Sequence, residues 1–344
     1  MRQTIDVLVV GGGIIGLAAA FRLASEGFRV AVLDKGELGK EASWAGAGIL
    51  FPLLPWDYPK DYAQWVVNSA RAYGDFCLAL HAASGIDPEY GQNGMVLLQA
   101  TLPKEPVDIA IEACRFLGQE ALFLPEVAQV RNPRILAALR QACAQKKVVF
   151  YVHEPLVSLV SKKGAIQAAQ TVHHVIEAKQ YVICAGAWSG QLLQSFLPPL
   201  EVFPVRGQML LFALPKPPFS SIVYGDGVYG VPRRDGHFLL GATVEEAGFN
   251  PLPTQEAYRL LLEKSQKLGL DMPEEALVAQ WTGLRPALRR LWPVIDRHPR
   301  IENLFITTGH FRYGLTTAFS SAAMLLDLMQ GRQALPWFRW PVGG

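Results

Sequence analysis

Residues 7–34 read VLVVGGGIIGLAAAFRLASEGFRVAVLD, and the fold follows from this stretch. The β-branched run Ile5 to Val10 predicts a short buried strand, and the alanine- and leucine-rich run Ile14 to Glu26 predicts a helix. Gly27 ends that helix, and Arg29 to Leu33 predicts a second apolar strand. Strand, helix and strand in this order are the opening βαβ unit of a doubly wound α/β sheet. Gly11 allows the tight turn after the first strand, Gly13 lets the backbone approach a pyrophosphate, and Gly16 lets the helix pack closely on the sheet. The amides at the helix start, Ile14 and Ile15, then face the negative charge. Asp34 closes the second strand, where a carboxylate accepts from ribose hydroxyls, with Lys35 beside it. The stretch therefore predicts dinucleotide binding without choosing between NAD and FAD.

Composition narrows the classes further. Among 344 residues half are hydrophobic and 18% are charged, which suits a well-buried enzyme of one or two lobes. Lysine and arginine number 32 against 30 acids, and the basic pairs are scattered, so no nucleic-acid partner is expected. Cys77, Cys114, Cys143 and Cys184 lie far apart in apolar surroundings. They predict small core residues in a reducing cytosol, with no metal site and a cytoplasmic location. The apolar run Val7 to Phe21 is broken by glycines and too short to span a bilayer, so neither an export signal nor a membrane span is expected.

Further along, Asp61 to Ala83 predicts one helix, and Asn132 to Ala144 another, with Asn132 as N-cap and Pro133 at the first helical position. Tyr181 to Ala185 predicts a buried strand ending at Gly186. From Val202 to Thr243 the pattern becomes strands and turns, the mark of an antiparallel sheet outside the parallel one. A helix near Glu256 to Leu268, a strand over Leu304 to Thr307 and a last helix after Gly314 complete the reading. The nucleotide-binding lobe is thus expected to be discontinuous, over residues 1–75, 130–200 and 282–344. Residues 76–129 and 201–281 would form the second, mainly antiparallel-sheet substrate lobe.

Five more segments carry chemistry. GELGKEASWAGAGIL follows the ribose acid closely; Ser43 can donate to a phosphate, and small residues such as Gly46, Ala47 and Gly48 let backbone approach a flat ring, although a small-residue loop packed for its own sake reads the same. ICAGAWSG, VYGVPRRDGHFLLGAT, GLRPALRRLWPVID and GHFRYGLTTA follow in order along the chain. Together these segments resemble the glycine oxidase group of the D-amino-acid oxidase family, and the resemblance spans nearly the whole chain. It implies non-covalent FAD, because neither a cysteine in the arginine segment nor a histidine beside Trp44 is present for attachment. It also implies cofactor contacts at Ala42, Ser43, Ala47, Gly48, Ile49, Leu156 and Gly186, and along His310, Phe311, Arg312, Tyr313, Gly314, Leu315 and Thr316.

By the same resemblance Arg285 clamps the substrate carboxylate with two parallel donors, Tyr229 supports it, and Arg312 borders the substrate. No side chain is expected to act as a dedicated acid, base or nucleophile, since flavin supplies the redox chemistry. The implied activity is oxidation of glycine, sarcosine or small D-amino acids, with oxygen as acceptor. A role in supplying dehydroglycine for thiamine biosynthesis and a homo-tetramer are implied too. An NAD-dependent dehydrogenase, a D-amino-acid oxidase, a D-amino-acid or other amine dehydrogenase with another acceptor and a non-catalytic flavin-binding protein are the alternatives. The segment FPLLPWDYP is expected to form a loop over the substrate entrance. Trp292 and Asp296 depart from the family pattern, which places the shape of the pocket in question.

Overall fold

The structure is a computed structural model and describes residues 5–51, 54–98, 108–196 and 198–341. The strand Ile5–Val10 lies inside a six-stranded sheet, flanked in parallel by Val30–Leu33 on one side and Ala178–Ile183 on the other. Val149–Tyr151 and Leu304–Thr308 extend it in parallel, and Val294–Arg297 adds an antiparallel edge. Strands enclosed on both faces need apolar residues at every position rather than at alternate ones, and Val7, Leu8, Val9 and Val10 are all buried. Period-two alternation divides them: Val7, Val9, Val30 and Val32 face one core, and Leu8, Val10, Ala31 and Leu33 the other.

Helices cover the first face. The helix Ile14–Ser25 buries Leu17, Ala18, Ala20 and Leu23 against it, each leucine stabilising the fold by about 2 kcal/mol. The helix ends in a Schellman motif: Gly27 takes φ +88°, and the amides of Gly27 and Phe28 bond the carbonyls of Ala24 and Leu23. Asn132–Gln145 and Ala318–Met329 pack beside it. The second face is covered differently, by the three-stranded antiparallel sheet of Leu156–Lys162, Ala165–Thr171 and Val175–Ile176, whose Ile166, Ala169 and Ile176 complete that core.

A second, eight-stranded sheet runs in the order Leu277–Ala287, Phe203–Ala213, His237–Gly241, Val228–Pro232, Ile222–Gly225, Met95–Leu98, Gln119–Leu124, Glu112–Phe116. It is antiparallel apart from the parallel pair Met95–Leu98 with Ile222–Gly225. Rossmann-like sheet and antiparallel sheet together give the α/β class the sequence predicts. The boundary expected at residue 282 falls within the strand Leu277–Ala287.

Two local expectations are corrected. The single helix expected over Asp61 to Ala83 is two, Lys60–Arg71 and Tyr73–Ser84, broken at Ala72. Asn132 is not the N-cap of its helix; Arg131 is, and Asn132 turns inward so that Nδ2 donates to Ser43 O at 2.6 Å. A buried tertiary partner outweighs a cap available at the surface. The four cysteines are free, three buried and Cys114 half-buried.

Candidate active site

An elongated cavity of about 330 Å³ runs from Pro155 and Leu156, at the C-terminal edge of the parallel sheet, to Arg285 and Tyr229 on the second sheet. Crevices at the carboxyl ends of parallel strands are where α/β sheets bind ligands. Of the cofactor- and substrate-contact residues expected from the sequence, all but Gly16 and Thr316 line it. Gly16 lies one turn into the helix, where an added Cβ would overlap the Gly11 carbonyl oxygen, so it serves the packing of helix on strand. Thr316 is buried, and its Oγ1 has no partner among the described residues.

At the sheet end, Asp34 Oδ2 accepts the Gly12 amide at 2.7 Å and Oδ1 the Gly36 amide at 2.9 Å. Burial raises its pKa against those two bonds, and the remaining lone pairs can accept hydroxyls. Ser43 Oγ accepts the Ile14 amide at 2.9 Å. That amide is therefore not free for a ligand, while the Ser43 hydroxyl proton is. Gly48 takes φ +75°, and a Cβ there would overlap Val130 O; only glycine lets the chain run this close behind the wall.

At the far end, Arg285 projects from the strand Leu277–Ala287. Its Nη1 donates to Thr243 O at 3.0 Å and more weakly to Arg206 O at 3.4 Å. Among the described residues no carboxylate lies within ion-pair distance of it. Burial lowers its pKa, the neighbouring Tyr229 hydroxyl raises it and Arg312 lowers it further. The Tyr229 hydroxyl donates to Met209 Sδ at 3.6 Å, and burial raises its pKa. Arg312 is exposed, with its guanidinium 5.2 Å from the Phe311 ring centroid. Phe311 adopts φ +49° and its amide bonds Pro286 O at 2.9 Å. For a bulky residue that is strained backbone, held by its surroundings beside the cavity. His310 is buried, its Nε2 lies 3.0 Å from Ser321 Oγ, and burial pushes its pKa down to about 3. It is neutral at physiological pH.

The FAD dependent oxidoreductase family, DAO, matches residues 6–328. The chain belongs to this family. Similar curated proteins include a glycine oxidase of Pseudomonas putida, 37% identical with 96% of each chain covered, and one of Pseudomonas aeruginosa, 36% identical with the same coverage. The crystal structure of glycine oxidase from Geobacillus kaustophilus shares the fold, with a TM-score of 0.88 at 24% identity over 98% of each chain.

This oxidoreductase depends on FAD, and its cavity fits the group. Asn132 Oδ1 and Thr307 Oγ1 are buried on the cavity wall without partners among the described residues, as acceptors or donors awaiting a polar ligand are. The glycine stretches at 11–13 and 46–48 leave backbone bare beside them. Neither residue was legible as a site residue in the sequence: Asn132 is read as a cap and Thr307 as strand interior. Trp188 was missed too; it lines the cavity with the Lys35 ammonium 3.2 Å from its ring centroid, a cation–π contact. Its place in GAWS carries no such signal.

The departures at Trp292 and Asp296 do not reach the cavity. Trp292 packs against the cluster of Tyr62, Val66, Ile295, Tyr313 and Phe338, behind Tyr313 and off the cavity wall itself, and Asp296 Oδ2 accepts the Trp340 amide at 2.7 Å. Of the expected entrance loop, Phe51 lines the cavity and Pro55–Asp57 form a short 3-10 turn, while residues 52 and 53 lie outside the described residues. Among the described residues no cluster of His, Cys, Asp or Glu could hold a metal, and no helix is long and apolar enough to cross a membrane.

Proposed function

We propose that the protein is a cytoplasmic amino-acid oxidase acting on glycine, sarcosine and small D-amino acids. The observation that carries this reading is Arg285, a guanidinium on the cavity wall held by two carbonyls and left without a carboxylate. A half-buried cation so placed favours an anionic ligand. FAD, held along the cavity by the Gly11–Gly13 turn, Asp34 and Ser43, would supply the redox chemistry: acceptance of a hydride from the substrate carbon and return of the electrons to oxygen as hydrogen peroxide.

The chain's own contribution is positioning. Arg285 holds the substrate carboxylate, Tyr229 Oη donates to the same group or closes over it, and Arg312 adds positive charge at the rim. Met209, Phe51 and Tyr313 keep water from the reacting carbon. With the carboxylate fixed, the amine enters neutral, and the imino acid formed is released to hydrolysis or to a consuming enzyme. Supply of dehydroglycine for thiamine biosynthesis is the role we assign, in keeping with a 30% identical relative from Synechocystis, the Bifunctional protein ThiO/ThiG, of which the chain covers 53%. We also propose the roles given above for the cofactor contacts, the discontinuous FAD-binding lobe and a homo-tetramer.

A panel of amines assayed for peroxide tests the reading. Glycine and sarcosine should turn over fastest, small D-amino acids more slowly and L-amino acids not at all. Preferential turnover of an L-amino acid would overturn the substrate class, and flavin reduction without peroxide would overturn oxygen as acceptor.

A further inference from the structure

Arg233 follows the strand Val228–Pro232 that carries Tyr229, but it does not line the cavity. Its guanidinium is engaged by uncharged acceptors: Nη1 donates to Gln129 Oε1 at 2.8 Å and Val130 O at 3.0 Å, and Nη2 to Ala47 O at 2.7 Å. Gln129 is buried and held in turn through Nε2 by Pro232 O and Asn93 Oδ1. The charged groups facing Arg233 are Arg131, Glu89 and Asp235, with the Tyr229 phenol behind. Both acids are taken: Arg131 bridges them, Arg134 lies 3.2 Å from Glu89, and His237 lies 3.0 Å from Asp235. Burial draws the Arg233 pKa down to about 10, so it remains charged at neutral pH.

The peptide it grips is part of the cavity wall, since Ala47 and Gly48 both line the cavity. A trans peptide is planar, with carbonyl and amide pointing in opposite directions. With the Ala47 carbonyl turned to Arg233, the Gly48 N–H points away from it, and that amide has no acceptor among the described residues. The next peptide is pinned as well, because the Gly48 carbonyl accepts the Val130 amide at 2.9 Å, so the chain is anchored on both sides of the Gly48 N–H. The result is an oriented dipole backed by a full positive charge.

We propose that Arg233 serves the cofactor from behind this wall, fixing the Ala47–Gly48 peptide and polarising it so that the reduced, more negative form of FAD is stabilised. The inference rests on the assignment of this cavity to FAD. Arg233 is a positioning residue, and its charge acts without contact, as preorganised dipoles and charges do in dry sites.

Redox equilibration of the holoenzyme against a reference dye tests it, on wild type, Arg233→Gln, Arg233→Lys and the exposed control Arg234→Gln. Arg233→Gln should shift the dye–flavin equilibrium roughly tenfold toward oxidised FAD, the scale on which one charge acts through a protein wall, or about 30 mV for a two-electron couple. Arg234→Gln should not shift it. An Arg233→Gln holoenzyme with the wild-type potential, even one that is less stable or loses FAD faster, would overturn the proposal and leave Arg233 a tie between the sheets. If Arg233→Gln retains no flavin, Arg233→Lys decides: a buried lysine loses its charge at a lower pH than arginine. Its potential should then fall below that of wild type progressively between about pH 6 and about pH 9. A pH-independent difference would overturn the proposal. Wild-type protein that retains no FAD would instead remove the cavity assignment beneath it.

Discussion

The Arg285 guanidinium lies directly against Gly207, so that a Cβ on Gly207 would overlap Nη1, Nη2 and Cζ. Gly207 pairs with Gly283 on the neighbouring strand, two residues before Arg285. Its backbone is outside the left-handed region, so an alanine meets no backbone strain. Gly207→Ala should therefore leave the fold and FAD content intact while pushing the guanidinium off its seat. The Michaelis constant for glycine should rise roughly tenfold or more, on the scale of a weakened charge-assisted pair. Steady-state kinetics beside flavin absorbance measure both, and an unchanged constant would mean that the clamp tolerates displacement.

Arg285→Lys keeps the charge and loses the two-pronged donor geometry. Glycine should bind roughly ten- to hundredfold more weakly, and flavin reduction should slow as well, because orientation suffers with affinity. Anaerobic mixing with glycine, followed at the flavin absorption band, separates saturation from rate. Wild-type values for both would show that Arg285 is not the clamp.

Gly13 faces the cavity, and an added Cβ would come 3.0 Å from Ser43 Oγ. A larger side chain crowds that hydroxyl and the approach to the Ile14 turn together. Gly13→Val should yield folded protein with little FAD, read as the flavin-to-protein absorbance ratio; wild-type occupancy would count against the assigned pyrophosphate position.

His310 gives the protein an acid sensitivity of definite sign. Its folded pKa of about 3 lies below the ordinary histidine value, so its contribution is fully present above about pH 6.5 and is lost as pH falls toward about 3. In that window the unfolded chain binds the proton and the native one does not. His310→Gln should flatten the fall of stability with acid by up to about 1.4 kcal/mol per pH unit. Urea midpoints taken from pH 4 to 8 test it, and an unaltered slope would show that His310 accepts a proton in place.

Where local sequence determines geometry, the reading from sequence held. The 7–34 stretch carries its own strand, turn, helix and Schellman ending, all set by neighbours within a few residues. Arg285 and Tyr229 were legible through family resemblance, and the structure brings both to one end of the cavity. What was not legible depends on distant partners. Asn132 looks like a cap until Ser43, 89 residues away, takes its amide. Arg233, with Arg234, looks like one of the scattered basic pairs until Ala47, 186 residues away, accepts from it. Gly207 carries no mark that a guanidinium will rest on it. Trp292 misled in the opposite sense, because a bulky residue inside a motif need not face the ligand.

The order of strands in the parallel sheet constrains how the protein is made. Ile5–Val10 is made before its sheet neighbours: Ala178–Ile183 follows some 170 residues later, and Leu304–Thr308, which brings Thr307 to the cavity wall, later still. A nascent chain must hold this βαβ unit with one sheet edge open until Ala178–Ile183 has been made. The cavity lacks a wall until residues 307–315 are made, so cofactor capture follows that point, and a chain halted before residue 304 would present an unpaired apolar strand to its surroundings instead of a flavin site.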